Sequence, residues 1–231
     1  MTYNGRPRRH RQRARNIADA ATQGAGAFLS RICLPAAEEF GLLIRDKVGA
    51  WRARNALGLA KKAELMLESL DDSANRHAHP RIVGAIIENG SWCDEDEVQS
   101  MWAGLLATAC TPSGTNQENL IYVNLLAQLT ASEARIFNLA CKAAIKKKSP
   151  SGLLLAQEFV QSLEQIMQIS GTAEIHTIDL ELDHRRTLGI LDSGLRLEAG
   201  LPAQLTPTAI GLQLHVRCQG YVGSPVEYFG L

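Results

Sequence analysis

A chain of 231 residues with 45% hydrophobic residues is long enough to bury a sizeable core, and its composition excludes a disordered or low-complexity protein. No apolar run approaches the roughly 18 to 20 residues that a membrane-crossing helix needs. The 24 basic and 24 acidic residues cancel, but they are not evenly mixed.

Residues 6–15, RPRRHRQRAR, hold Arg6, Arg8, Arg9, Arg11, Arg13 and Arg15 and no acid; setting those six aside leaves 18 basic residues against 24 acids, about −6 for the remainder. Residues 1–15 therefore read as a basic arm, disordered in isolation, on an acidic body. Clustered arginines displace counterions from nucleic acid, which predicts weak, sequence-independent binding through the arm. Stacking aromatics are missing from it apart from Tyr3. The competing readings are a contact with an anionic membrane, a solubilising tail, and docking on the body's own acidic surface.

Polar residues 16–23 separate this basic start from the apolar stretch 24–44, which Arg31, Pro35, Glu38 and Glu39 interrupt. That is not the layout of a secretory signal, so the chain reads as cytoplasmic. Five cysteines, at 33, 93, 110, 141 and 218, are odd in number and form no CxxC pair, as expected of reduced thiols.

From Ala36 to Leu70 no proline occurs and helix formers dominate, with Leu42, Leu43, Val48, Trp51, Leu57, Leu59, Leu65 and Leu67 supplying apolar positions. The expectation is one long helix, or two with a bend near Gly49 or Gly58. A polar loop, DDSANRHAH, follows. Pro80 then sits at a first helical position, and Ile82, Val83, Ile86 and Ile87 form a stripe ending at Gly90.

After Trp92 come four consecutive acids, Asp94 to Glu97, and then Val98, Met101, Trp102, Leu105, Leu106 and Ala109 at helical spacing. Trp102 should point inward, and the acids suit a helix N-terminus, with Ser91 or Asp94 as the cap. Consecutive helical acids radiate, so no metal site is expected of them. The whole stretch, IIENGSWCDEDEVQSMWAGLLATA, resembles the signature of the bacterial Abi-alpha family, named for abortive infection. The residues carrying the likeness are Pro80, Gly90, Trp92, Trp102, Leu105 and Leu106. PAAEEFGLLIRDKVGAWRARN upstream, and LTASEARIFNLA and QLTPTAIGLQLHVRC downstream, resemble further family elements, so the likeness spans about residues 34–219. It departs at Gly104, where a polar residue such as asparagine is expected. The resemblance implies a role in defence against phage and carries no catalytic residue with it.

In the second half, Thr130 and Glu133 form a capping box for a helix with Ile136, Phe137, Ala140, Ala144 and Ile145 inward and Lys146 to Lys148 at its C-terminal end. Pro150 resets the chain, and Leu154, Phe159, Leu163 and Met167 predict another helix. A third runs from about Leu180 to Leu191, followed by a hairpin around Gly200 and a last helix with Thr206 as cap and Pro207 in its first turn. Helix, hairpin, helix is similar to the wing end of winged-helix proteins, where the helix at Leu180–Leu191 would present Arg185 and Arg186 to a major groove. Residues 174–198 nevertheless carry six acids against three arginines, so packing or partner binding is the better use of such a unit.

The expected fold is mainly α, a helical bundle followed by a winged-helix-like C-terminal unit with one short β-hairpin. Its division is arm 1–15, helical domain 16–128, winged-helix-like domain 129–219 and tail 220–231. No GxxxxGK[ST], GxSxG or HExxH occurs, and His77 and His79 have no companions at metal spacing. The expectation is a non-enzymatic protein without cofactor or metal that meets an unidentified host or phage protein. The alternative is a nucleic-acid-binding regulator using the arm and the winged-helix-like unit.

Overall fold

A computed structural model describes residues 24–33, 35, 47–68 and 75–231. The arm with its six arginines, residues 36–46 and residues 69–74 lie outside the described residues. The order is α1 (24–32), α2 (Lys47–Glu68), α3 (Pro80–Gly90), α4 (Asp96–Ala109), α5 (Asn119–Leu126) and α6 (Ala131–Ala143). Strands β1 (Lys146–Lys148), β2 (Leu154–Ala156) and β3 (Val160–Gln161) follow, then α7 (Leu163–Ser170) and α8 (Ile175–Thr187). The hairpin β4 (Leu191–Leu195) and β5 (Ala203–Pro207) leads to α9 (Ala209–Cys218) and the short α10 (Pro225–Tyr228). The fold is mostly helical with a few short antiparallel strands.

The centre of the molecule is α4. From Val98 to Ala109 every residue except Ser100 is buried, because α2, α3, α5, α6 and α9 all pack on it. The spacing of large residues correctly placed Trp102, Leu105 and Leu106 inside, at 2% exposure or less. The opposite side is not a solvent face. Ala103, Gly104 and Ala107 are small enough to let other helices close over it. A Cβ on Gly104 would stand 2.0 Å from the carbonyl oxygen of Cys218 at the end of α9. No side chain fits there, which accounts for glycine where the resemblance led one to expect a polar residue. Gly90 closes the other side, since its Cβ would meet Leu59 Cδ1 at 2.4 Å and Trp102 Cγ at 3.1 Å.

Buried polar groups tie α4 to its neighbours. Asn119 Nδ2 donates to Leu105 O at 3.2 Å and to Thr108 Oγ1 at 3.0 Å, tying α5 to α4. Of the two alternatives for residues 36–70, one long helix or two, the described part is a single helix, α2, unbroken from Lys47 to Glu68. His77 exchanges backbone hydrogen bonds with Thr111, and His79 Nδ1 accepts from Arg81 N–H at 3.2 Å to cap α3, with Pro80 in its first turn. The histidine loop is thus structural joinery.

Several boundaries differ from the expectation. The cap of α4 is Glu95, without a side-chain hydrogen bond, rather than Ser91 or Asp94. The Thr130–Glu133 capping box forms, but α6 stops at Ala143. Lys146–Lys148 pair with Leu154–Ala156 as an antiparallel hairpin, and Ile145 is exposed. Pro150 disfavours helix at Ser149 and sits in the turn that joins the two paired strands. The expected helix at Leu154 is accordingly a strand, and the helix starts only at Leu163. The helix placed at Leu180–Leu191 is instead Ile175–Thr187, and Leu191 begins β4. Thr208, not Thr206, caps α9, while Pro207 ends β5. The hairpin around Gly200 is present, and β3 adds to it in the order β3-β5-β4, so more strands form than the one hairpin expected.

Alanine is a better helix former than glycine by about 1 kcal/mol, so propensity alone predicts that Gly104→Ala stabilises. The contact with a backbone carbonyl reverses the sign. Thermal melts followed by circular dichroism should show Gly104→Ala several degrees below the parent protein.

Candidate functional site

The turn between α3 and α4 is held by two side chains of α2. Arg52 Nε donates to Ser91 Oγ at 2.9 Å, and one guanidinium nitrogen donates to the Glu88 carboxylate at 2.7 Å and to the Glu88 carbonyl at 3.3 Å. Asn55 Nδ2 donates to Ser91 O at 3.0 Å. The same guanidinium lies over the Trp92 ring, 4.4 Å from its centroid, and Trp51 meets Trp92 at 6.2 Å with the rings tilted by 53°. Trp92 is 51% exposed. The result is a fixed aromatic surface backed by a cation.

The charges on the α3–α4 turn and at the start of α4 are sorted by depth. Glu88 is 64% exposed where Arg52 is 13%, and Asp96 is 91% exposed where its partner Lys62, 2.6 Å away, is 25%. Glu95 pairs with Arg135 at 2.5 Å, and Asp94 is exposed. Glu97 is the exception, since its partner Lys142 is the more exposed of the two. Bonding to Arg52 holds the Glu88 carboxyl below its ordinary range, so it is ionised at neutral pH. Glu88 is the carboxylate at the Trp92 ring, accepting from its Nε1–H at 3.5 Å, while Asp94 and Asp96 lie exposed on the residues that follow.

Of the residues carrying the resemblance, Trp102, Leu105, Leu106 and Gly90 build the core, while Pro80, which starts α3, and Trp92 are exposed. Arg52, Asn55 and Ser91 were missed as site residues. Nothing in the local pattern pairs residues 36 to 39 positions apart; the usable signal was that Trp51 and Trp92 are two of only three tryptophans.

The arginines proposed as groove readers separate. Arg186 is exposed and pairs with Asp183 at 2.6 Å, while Arg185 is fully buried. Ile178, Leu182 and Arg185 share one helical face at i, i+4 and i+7, which is the inward face of α8. No guanidinium nitrogen of Arg185 has a hydrogen-bond partner; Glu181 Oε2 stands 3.9 Å away. Burial brings its pKa down to about 10, opposed by the charges of Glu133 and Glu181. Glu133, itself buried, completes the capping box and stands 2.7 Å from His184 Nδ1. This ionic cluster fastens α8 to α6 and offers nothing to a groove, which corrects the reading of Arg185 as a base or phosphate contact.

His215 on α9 is buried beside Phe137, Tyr228 and Phe229. Burial, with Lys142 and Lys146 adding to it, pushes its pKa down to about 4, and its Nδ1 has no partner. The five cysteines are free thiols, and burial pushes Cys110 up to about 12, which makes it a poor nucleophile. Among the described residues no group of His, Cys, Asp and Glu is arranged to hold a metal, and no helix is long and apolar enough to cross a membrane.

The sequence profile of the family described as Abortive infection alpha matches residues 54–207. The match covers well over half of the chain, and the chain belongs to that family. It includes the α3–α4 signature and Trp92, and begins just after Trp51 and Arg52. No curated protein and no solved structure matches the chain.

Two outcomes follow. Arg185→Ala should cost about 3 kcal/mol or more in urea unfolding, as removal of one partner from a buried ionic cluster does. Arg186→Ala should change stability by less than about 0.5 kcal/mol. For His215 the folded pKa lies below the unfolded value of about 6.5, so the unfolded chain binds the proton more tightly. Its contribution is complete above about pH 6.5 and is lost as pH falls toward 4. The difference in stability between parent and His215→Leu, read by urea unfolding, should therefore be constant above about pH 6.5 and shift in favour of the variant below it.

Proposed function

We propose that this protein acts in abortive-infection defence in the cytoplasm, without catalysis of its own, by binding a protein partner through the face centred on Trp92. Family membership supports the defence role. The observation that carries the binding reading is the half-exposed Trp92 ring, fixed from below by Arg52 and walled by Trp51. Tryptophan and arginine in a pre-set arrangement are the residues that concentrate binding energy at interfaces, and a side chain held in place loses little entropy on association. The outward carboxylates define the partner's chemistry as a basic segment.

The unit from α6 to β5 we read as winged-helix-like and used for packing. Its order of one helix, three short strands, two helices and a two-stranded hairpin, and its β3-β5-β4 sheet, support that reading. Its use as a DNA reader is disfavoured, because α8 buries Arg185 and turns Asp179 and Leu180 outward, a surface that repels phosphate.

The test is phage plating on cells with and without the gene. The parent gene should lower plating efficiency, and Trp92→Ala should restore it to the level of cells without the gene, while the purified variant melts within about 2 °C of the parent, as expected for a surface substitution. Full protection by the Trp92→Ala gene would sink the proposal.

A further inference from the structure

The β1–β2 hairpin carries an apolar outer face and a lysine cluster that take no part in the Trp92 surface. We infer that this hairpin docks on an anionic lipid surface, seating Ile145, Leu153 and Leu155 at the boundary of headgroups and acyl chains without crossing the bilayer. The inference is independent of the Trp92 reading.

The first observation is a broken alternation. A hairpin packed on a protein core turns apolar side chains inward and polar ones outward. Leu154 obeys, since it is buried and β2 packs on α9. Its neighbours Leu153 and Leu155 must then point to the opposite face, where they are 62% and 38% exposed. Ile145 shares that face. Its carbonyl accepts from Gln157 N–H, diagonal to Leu155, and its side chain is 65% exposed. Lys147 stands directly opposite Leu155 in the register. Single exposed apolar side chains are ordinary, but three neighbours on one face mark an interaction site.

The second observation is charge. Residues 142–157 hold four lysines and no acid. Lys147 and Lys148 are exposed, and Lys142 at the end of α6 is 60% exposed, 3.9 Å from Glu97. Glu158, the next acid along the chain, is engaged by Arg196. Lys146 folds back instead: its Nζ donates to Lys142 O at 2.9 Å and lies 4.7 Å from the centroid of the Phe229 ring. It fastens the hairpin to the body and leaves the other lysines beside the apolar face.

Lysines alone would be explained by protection of a free sheet edge, but that leaves the leucines unexplained. Nucleic acid is gripped through stacking aromatics, and this face is aliphatic. Protein interfaces favour aromatics and arginine and are depleted in lysine. Leucine and isoleucine beside lysines, whose stems follow apolar surface while the ammonium stays in water, suit a lipid interface. The turn suits it as well, because its backbone is closed on itself. Ser149 N–H donates to Leu153 O at 2.8 Å, Leu153 N–H to Ser149 Oγ at 2.9 Å and Gly152 N–H to Ser149 O at 2.9 Å, leaving few backbone groups to be stripped of water.

Cosedimentation of the full-length protein with liposomes tests this, using vesicles of phosphatidylcholine alone and of phosphatidylcholine with phosphatidylglycerol in equal parts. The parent should bind the mixed vesicles at least about tenfold more tightly than the neutral ones. Leu153→Ser with Leu155→Ser should weaken binding to mixed vesicles at least about tenfold, as expected when two leucines no longer leave water. Lys147→Ala with Lys148→Ala should weaken it roughly twentyfold, at about fivefold per lysine. Leu180→Ser, exposed on α8, should bind like the parent. All these variants alter exposed side chains, so each should melt within about 2 °C of the parent. A parent that ignores mixed vesicles would overturn the inference. So would binding that the leucine pair leaves unchanged, which would assign the lipid contact to the arginines at residues 6–15. If the leucine pair leaves vesicle binding intact and turns a dimer into a monomer in analytical ultracentrifugation, a second copy covers the face and the inference fails. It fails equally if duplex DNA, rather than vesicles, is what the lysine pair ceases to bind.

Discussion

The rest of the structure depends on α4 being buried along its length from Val98 to Ala109. A helix surrounded on all sides must be apolar or small all round, and wherever another backbone crosses it closely it must be glycine. The carbonyl of Cys218 crosses at Gly104, and through that contact α9, and with it the C-terminal half, closes onto the N-terminal helices. One continuous set of buried residues, from Ala25 on α1 to Cys218 on α9, surrounds this helix. The acids at its start are the complement of that demand. They satisfy a helix N-terminus and, being charged, mark where α4 leaves the core and meets solvent.

The Trp92 face is a by-product of the same constraint. To seat α4 centrally, α2 and α3 must be fixed relative to it at the α3–α4 turn, and Arg52, Asn55, Ser91 and Gly90 do this within a few residues of one another. Ser91 is wholly buried and Arg52 nearly so, so the turn cannot move without breaking polar contacts inside the protein. Trp92 rides on this rigid turn. An exposed aromatic on a flexible loop would lose entropy on binding, whereas here the ordering has already occurred in folding.

Much of this was legible in the residues. The stripes at Ile82 to Ile87 and Val98 to Ala109, the Pro80 start, the Thr130–Glu133 box and the hairpin at Gly200 are local signals, and each appears where its spacing put it. Where local signals competed, the reading slipped. Lys146 to Lys148 suit a helix C-terminus by charge, but strand pairing with Leu154 to Ala156 is a contact that spacing does not reveal. Arg185 was open to two readings, because charge argued for the surface while its i, i+4, i+7 relation to Ile178 and Leu182 argued for the core. Periodicity outweighed residue type there, since Glu133 and Glu181 were available to accompany the charge inside. The Arg52–Ser91–Glu88 contacts joined distant segments and left no local trace.

These two arginines, Arg52 and Arg185, separate the halves of the molecule by use. Arg185 is sunk in the joint between α6 and α8, where its charge serves only the carboxylates beside it. A helix that buries its arginine this way cannot offer it to a groove, and α8 turns Asp179 and Leu180 outward instead. Arg52 is largely covered too, yet its guanidinium is laid against a tryptophan that stays 51% exposed. The first arginine stabilises a junction and the second presents a ring. The C-terminal half meets α4 through α9, and the exposed aromatic lies on the side of the N-terminal helices.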